Sequence, residues 1–310
     1  MEDFLKLQDL YSAELNALID FGIELKSKLK NKEKHEYLKD KIMGMIFTKS
    51  STRTRVAFET GIIQLGGRAI FLSSQDIQLG RGESIADTAR VLERYLDLIM
   101  IRTYKQSDVE DLAKFANIPV INGLTDYCHP SQVVADLMTL KEYKGTLKGK
   151  KLCYIGDGNN VANSLIVGCI KTGVAISLAC PEKYSPDPKL LAWARHEGDI
   201  ELTEDIQKAV RDADALYTDV WASMGQENEA AIRQRIFKEY QINNKILQMA
   251  AKDAIVLHCL PAHKGEEISE NTFEEHAKEI FDEAENRLHA HKAIMAALFI
   301  KDFGLSKKTD

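Results

Sequence analysis

The residues able to do chemistry sit in short stretches that follow apolar, β-branched runs. After Lys41–Phe47 comes Thr48-Lys49-Ser50-Ser51-Thr52-Arg53-Thr54-Arg55, which gathers hydroxyls and two guanidinium groups where a helix begins. Backbone N–H groups and the positive end of a helix dipole favour an anion at such a junction. Arginine adds charge and a planar fork that matches phosphate oxygens. Ser and Thr also cap helices, and one hydroxyl with one arginine would be read that way. The density of S-T-R-T-R instead points to phosphate. Arg102 ends a second run (Leu98–Thr103), and His129-Pro130-Ser131-Gln132 opens a helix after a third. Taken singly, Arg102 reads as a surface charge and His129 as a residue flanking Pro130 at a first helical position.

The second half carries different groups. Ile155 leads into Gly156-Asp157-Gly158-Asn159-Asn160, but Val161 occupies the third glycine position of a dinucleotide fingerprint, which disfavours NAD. The Asn pair suits either a tight turn or the polar end of a substrate. Asp219 ends the run Ala215–Val220 and is followed by Trp221-Ala222-Ser223-Met224-Gly225. A carboxylate at a strand tip can receive an ammonium group. His258-Cys259-Leu260-Pro261 closes the last run, and a buried cysteine is more often inert packing than a functional thiol. Asp282-Glu283-Ala284-Glu285-Asn286-Arg287 reads as the opening of a helix, with Arg287 the unexpected residue among acids. The first half thus gathers cations and hydroxyls for an anion. The second gathers Asn, Asp, Ser and Cys for a zwitterion or amine. Walker sequences, metal clusters and paired catalytic carboxylates are absent from the pattern.

The elements that must position these groups follow from periodicity. Runs at Lys41–Phe47, Ala69–Ser73, Leu98–Thr103 and Pro119–Asn122 form one set of expected strands. Lys151–Ile155, Ala175–Cys180, Ala215–Val220 and Ile255–Leu260 form a second set of four. Helical spacing lies between them, as in Phe58, Ile62 and Leu65 before Gly66-Gly67. This alternation predicts an α/β protein with two doubly wound parallel-sheet domains joined by helices, with the active site in a cleft between them. The expected bounds are 1–143 for the first domain and 144–285 for the second, with a C-terminal helix at 286–310 packing back on the first.

Composition bounds the remaining choices. With 41 Lys+Arg and 47 Asp+Glu among 310 residues, the formal net charge is −6, which argues against a dedicated nucleic-acid binder. The five cysteines, widely spaced and without C-x-x-C, read as reduced thiols rather than a disulfide scaffold. The N-terminal stretch lacks the features of secretory and mitochondrial signals, and no apolar run approaches the ~20 residues that span a bilayer. A cytoplasmic protein with no membrane partner is expected.

Five motifs in order, S-T-R-T-R (Ser51–Arg55), H-P-S-Q (His129–Gln132), D-V-W-A-S-M-G (Asp219–Gly225), H-C-L-P (His258–Pro261) and D-E-A-E-N-R (Asp282–Arg287), resemble the ornithine carbamoyltransferase family over about Leu5 to Leu298. The resemblance implies a carbamoyl-phosphate domain and an ornithine domain, with no cofactor and no metal. It implies that Ser51, Thr52, Arg53 and Thr54 hold the phosphate, and that Arg102, His129 and Gln132 surround the carbonyl and phosphate. Arg287 would contact carbamoyl phosphate, and Cys259 and Leu260 would touch both substrates. Asn160, Asp219, Ser223 and Met224 would bind the α-amino and carboxylate groups of L-ornithine. Gln78 is similar to a residue that members lend to a neighbouring subunit, which implies a homotrimer or assembly of trimers with shared sites. Catalysis would fall to Thr54, Arg102, His129 and Cys259.

Rival readings separate on particular residues. Putrescine lacks the carboxylate and α-amine that Ser223-Met224-Gly225 suits, and putrescine enzymes differ at this loop. An aspartate-specific relative would carry more cations near Asp219–Gln226. An oxidoreductase would leave S-T-R-T-R unexplained, and a non-catalytic binding relative would be expected to lack one of Arg53, Arg102, His129, Asp219 or Cys259.

Overall fold

A computed structural model describes residues 1–74, 77–78, 82–222 and 227–304. The chain divides into two compact units, 1–135 with 286–310, and 136–285.

The first unit is built on a parallel sheet of β1 (Ile42–Phe47), β2 (Arg68–Ser73), β3 (Leu98–Arg102) and β4 (Val120–Leu124), in the order β2-β1-β3-β4. The helices are α1 (Ser12–Lys30), α2 (Thr52–Gln64), α3 (Ile85–Leu92) and α4 (Gln106–Phe115). α5 (Pro130–Lys144) starts in this unit and ends in the second. β1 and β3 are nearly continuous apolar runs and β4 is buried along its length, as expected where helices cover both faces of a parallel sheet and leave no wet face. Ile46, Ile99, Ile101 and Val120 from these strands pack with Val109 and Leu112 of α4. α2 stops where expected: Gly66 takes φ +85, a left-handed conformation that costs glycine little.

The second unit holds β5 (Lys151–Ile155), β6 (Ala175–Ala179), β7 (Ile200–Thr203), β8 (Ala215–Thr218) and β9 (Ile255–His258), ordered β7-β6-β5-β8-β9 and all parallel. Its helices are α6 (Asn160–Thr172), α7 (Pro188–Glu197), α8 (Ile206–Val210), α9 (Ala230–Phe237), α10 (Asn244–Leu247) and α11 (Glu270–Glu275). α12 (Ala277–Ala297) starts in this unit and ends in the first. Ile155, Leu216, Trp221, Phe237 and Val256 lie in one of its apolar clusters.

Two sequence expectations need correction. The second sheet has five strands rather than four. β7, Ile-Glu-Leu-Thr, is a half-buried edge strand, so it lacks the apolar run that marks its neighbours. The final helix runs Ala277–Ala297 rather than 286–310, so D-E-A-E-N-R, read as a helix opening, lies inside α12 and not at its beginning. Acids there act through partners: Glu283 accepts from the His258 amide at 2.8 Å, and Asp282 from the Tyr143 hydroxyl at 2.5 Å. No helix among the described residues is long and apolar enough to cross a membrane.

α12 also carries a fully buried lysine in the first unit. Lys292 Nζ donates to the Leu25 carbonyl at 3.5 Å and lies 3.3 Å from His35 Nε2. His35 Nδ1 faces the Glu33 carbonyl at 2.7 Å, so the ring proton sits on Nδ1 and Nε2 accepts. Burial pulls the Lys292 pKa down to about 8. Because the folded value lies below the unfolded one, the charge opposes folding below pH 8, and this penalty fades as pH rises toward 10.5. Lys292→Met should therefore gain stability relative to the parent at pH 7, on the order of 1 kcal/mol or roughly 2–4 °C in Tm. The gain should shrink toward pH 10. A thermal-melt difference that stays constant from pH 7 to 10 would refute this.

Candidate functional site

The candidate anion-binding half lies at the carboxyl end of β1. Ser51 is the N-cap of α2, its Oγ accepting from the Thr54 amide at 3.2 Å, so the capping role considered for S-T-R-T-R is real for Ser51. The cap fixes where the helix starts and so where its positive end points. Thr52 is exposed, Ser51 and Arg53 are half-buried, and Thr54 is fully buried. A cavity of about 290 Å³ opens here, lined by Thr48, Ser50, Ser51, Thr52, Arg55 and Ser73 among others. Arg55 lies 3.7 Å from the centroid of the Phe71 ring and pairs with Glu59 at 3.4 Å. Its charge is therefore partly spent on neighbours, which the sequence did not reveal.

Thr54 is the junction of this half-site. Its Oγ1 accepts from Arg287 Nη2 at 2.8 Å and, more weakly, from Arg102 Nη1 at 3.4 Å. A hydroxyl has two lone pairs and one proton. With both lone pairs directed at guanidinium groups, its O–H remains to donate to a bound oxygen. Arg102 stands at the end of β3 opposite Phe47 of β1. The β3–β4 pairing shifts register beside it, Ile101 facing Asn122 and Arg102 facing Leu124, so the extra residue, Gly123, belongs to β4. Lys49 is tied to Asp126 at 2.8 Å and sits over the Tyr104 ring, linking the loop after β1 to the loop after β4.

His129 and Gln132 are buried beside the start of α5. Burial first, then the charges of Arg287 and Arg102, hold the His129 pKa well below the usual histidine range. The imidazole is thus neutral at physiological pH and acts as a hydrogen-bonding group rather than a cation. Gln78 is exposed, and its carbonyl accepts from the Glu83 amide at 3.1 Å.

The second unit holds the other candidate residues. Asn159 caps α6, its Oδ1 accepting from the Val161 and Ala162 amides, while its Nδ2 donates to Asp219 Oδ2 at 2.8 Å. Asn160, the residue singled out from sequence, is the first residue of α6 and half-buried. Asn159 was missed as a separate player; its signal was the N-cap position itself. Gly158 is required by packing, since a Cβ there would lie 2.3 Å from the Pro186 nitrogen.

Asp219 is buried at the end of β8. Its Oδ1 accepts from the Cys259 thiol at 3.0 Å and from the Val220 amide at 2.8 Å. Burial and then the Asp219 charge push the Cys259 thiol well above its ordinary value. Cys259 is therefore a protonated donor, not a thiolate nucleophile. Leu260 follows at φ +59, its amide donating to His258 Nδ1 at 2.9 Å. The other ring nitrogen, Nε2, then carries the proton and donates to Glu267 at 3.0 Å. Asp219, His258 and Cys259 bring three donor atoms within 4.8 Å of one another, and all three side chains are already engaged within the protein. Ser223 and Met224 lie outside the described residues.

Both units match models of known domains. Residues 2–142 match the carbamoyl-P binding domain, and residues 148–298 the Asp/Orn binding domain, of aspartate/ornithine carbamoyltransferase. The chain belongs to the aspartate/ornithine carbamoyltransferase family. Among its relatives, the ornithine carbamoyltransferase of Oceanobacillus iheyensis is 56% identical over 301 residues, covering 96% of this chain and 94% of that protein. The solved ornithine carbamoyltransferase of Pyrococcus furiosus is 50% identical with a TM-score of 0.91, covering 95% of this chain and 96% of that one. The solved anabolic enzyme of Campylobacter jejuni is 42% identical, also with a TM-score of 0.91, covering 96% and 99%.

Proposed function

We propose that this chain is an ornithine carbamoyltransferase, moving the carbamoyl group of carbamoyl phosphate to the δ-amine of L-ornithine to give L-citrulline and phosphate. Near-full-length relatives about half identical to it carry that name. The geometry that best supports the reading is the meeting of Arg102 and Arg287 on Thr54 Oγ1, at the start of a capped helix.

In this reading Ser51, Thr52, Arg53 and Thr54 hold the phosphate of carbamoyl phosphate, with Gln132 and Arg287 beside it. Thr54, Arg102 and neutral His129 donate to the carbonyl oxygen. When the δ-amine attacks the carbonyl carbon, negative charge develops on that oxygen. Donors already aimed there stabilise it without reorganising. Phosphate leaves as the tetrahedral intermediate collapses, with Arg53 neutralising it. Asp219, Asn160, Ser223 and Met224 hold the α-amino and carboxylate groups of ornithine. The Cys259 thiol keeps Asp219 oriented, and Leu260 contacts both substrates. No covalent enzyme intermediate is needed, because positioning two substrates supplies much of the rate.

The amine must lose a proton before attack, and its ordinary pKa is near that of lysine, ~10.4. Activity with respect to ornithine should therefore climb from pH 7 to 9. His129 adds no limb near its ordinary pKa, since its folded value lies well below that. A flat profile over this range would count against the mechanism. The assignment itself is tested by citrulline formation with carbamoyl phosphate and ornithine, run beside putrescine and aspartate. A preference for putrescine would overturn it.

The same reading includes a homotrimer or assembly of trimers in which Gln78 reaches a neighbouring subunit's site, and a cytoplasmic location, consistent with five free buried cysteines. It also places the reaction in arginine synthesis, supported by the 50% identical Pyrococcus furiosus relative named anabolic.

A further inference from the structure

We propose that Arg233 is a positioning residue for the ornithine half-site, tying the turn after β5 to the tip of β8. The inference rests on the ornithine reading above. Arg233 lies on α9 with its side chain almost wholly buried. Its Nη1 donates to Asp157 Oδ2 at 2.8 Å and to the Trp221 carbonyl at 2.9 Å, while its Nε donates to Glu229 at 3.0 Å. The guanidinium also sits 4.8 Å from the centroid of the Tyr184 ring.

Two of these contacts, to Asp157 and to the Trp221 carbonyl, reach strand ends that carry candidate substrate ligands. Asp157 lies in the turn after β5, where its carbonyl accepts from the Tyr154 hydroxyl and the Asn159 amide, both at 2.7 Å. Asn159 in turn caps α6 at Asn160 and donates to Asp219. Trp221 follows Asp219 by two residues, and its ring stacks near Phe237 at the end of α9. One guanidinium thus fixes the strand tip that carries Asp219 and the turn that orients the Asn159 amide against it. A planar fork with several donors can bridge two acceptors at once, whereas an ammonium on a flexible stem holds them less rigidly. Burial raises the Asp157 carboxyl to about 6 despite Arg233, so its charged form depends on this partner.

The test is steady-state kinetics on the full-length enzyme with each substrate varied separately. Arg233→Met should raise KM for ornithine about 10-fold or more, leave KM for carbamoyl phosphate within 2-fold, and change kcat less than KM, since displaced ligands weaken binding on that side alone. Arg233→Lys should fall between parent and Met variant, and it carries the test if the Met variant does not fold. Equal losses with both substrates, or a fall in melting temperature with unchanged ornithine KM in the Lys variant, would overturn the positioning role. A parent enzyme that makes no citrulline would instead overturn the function reading itself.

Discussion

Thr54→Val should reduce citrulline formation by 10²–10³-fold in kcat, with the protein still folded. Valine keeps the shape of threonine and removes only the hydroxyl. That hydroxyl is where Arg102 and Arg287 meet, at 3.4 and 2.8 Å. Its loss has two consequences. The proton available to a substrate oxygen disappears, and loss of one such preorganised donor typically costs ~3 kcal/mol in the transition state. The two buried guanidinium groups also lose their shared acceptor, so their like charges are free to move apart. The second effect should appear as a higher KM for carbamoyl phosphate, while the first appears in kcat. Initial rates with carbamoyl phosphate varied at saturating ornithine separate the two. A kcat within 3-fold of the parent would mean that Thr54 does not face the developing charge.

On the other unit, Asp219→Asn should raise KM for ornithine about 10²-fold and leave KM for carbamoyl phosphate nearly unchanged. Removing the charge that faces a desolvated ammonium typically costs a few kcal/mol. The isosteric amide is also a poor substitute inside the protein. Asp219 accepts from the Asn159 amide on one oxygen and from the Cys259 thiol on the other. An asparagine there must turn its own NH₂ toward one of these donors, leaving a buried donor without an acceptor. Isothermal titration with ornithine in the presence of a stable carbamoyl-phosphate analogue would measure the loss directly. Unchanged ornithine affinity would remove Asp219 from the amine site.

Local patterns made the α/β architecture readable from the chain alone. A buried parallel strand is mostly apolar, and a helix start attracts Ser, Thr and Pro, so β1, α2 and the S-T-R-T-R junction were visible as linear text. β7 was not visible, because an edge strand is half-wet and need not be apolar. The start of α12 was misplaced because Asp282 and Glu283 look like helix-opening acids, whereas folding gives them partners from distant chain, Tyr143 and His258.

Chemistry divides along the same line. The sequence by itself determined which groups are present: hydroxyls and arginines after β1, an acid after β8, a thiol after β9. Only the tertiary structure decided what each one does. Arg102 and Arg287 lie 48 and 233 positions from Thr54, yet both converge on its Oγ1. Arg233 is 76 positions from Asp157. Burial decided protonation, making His129 a neutral group and Cys259 a thiol. The physical reason is one of range. Secondary structure depends on neighbours within a turn or a pleat, and such neighbours are written next to each other. Hydrogen-bond partners and local dielectric are set by chain segments that meet only when each unit folds, and no spacing in the linear sequence encodes that meeting.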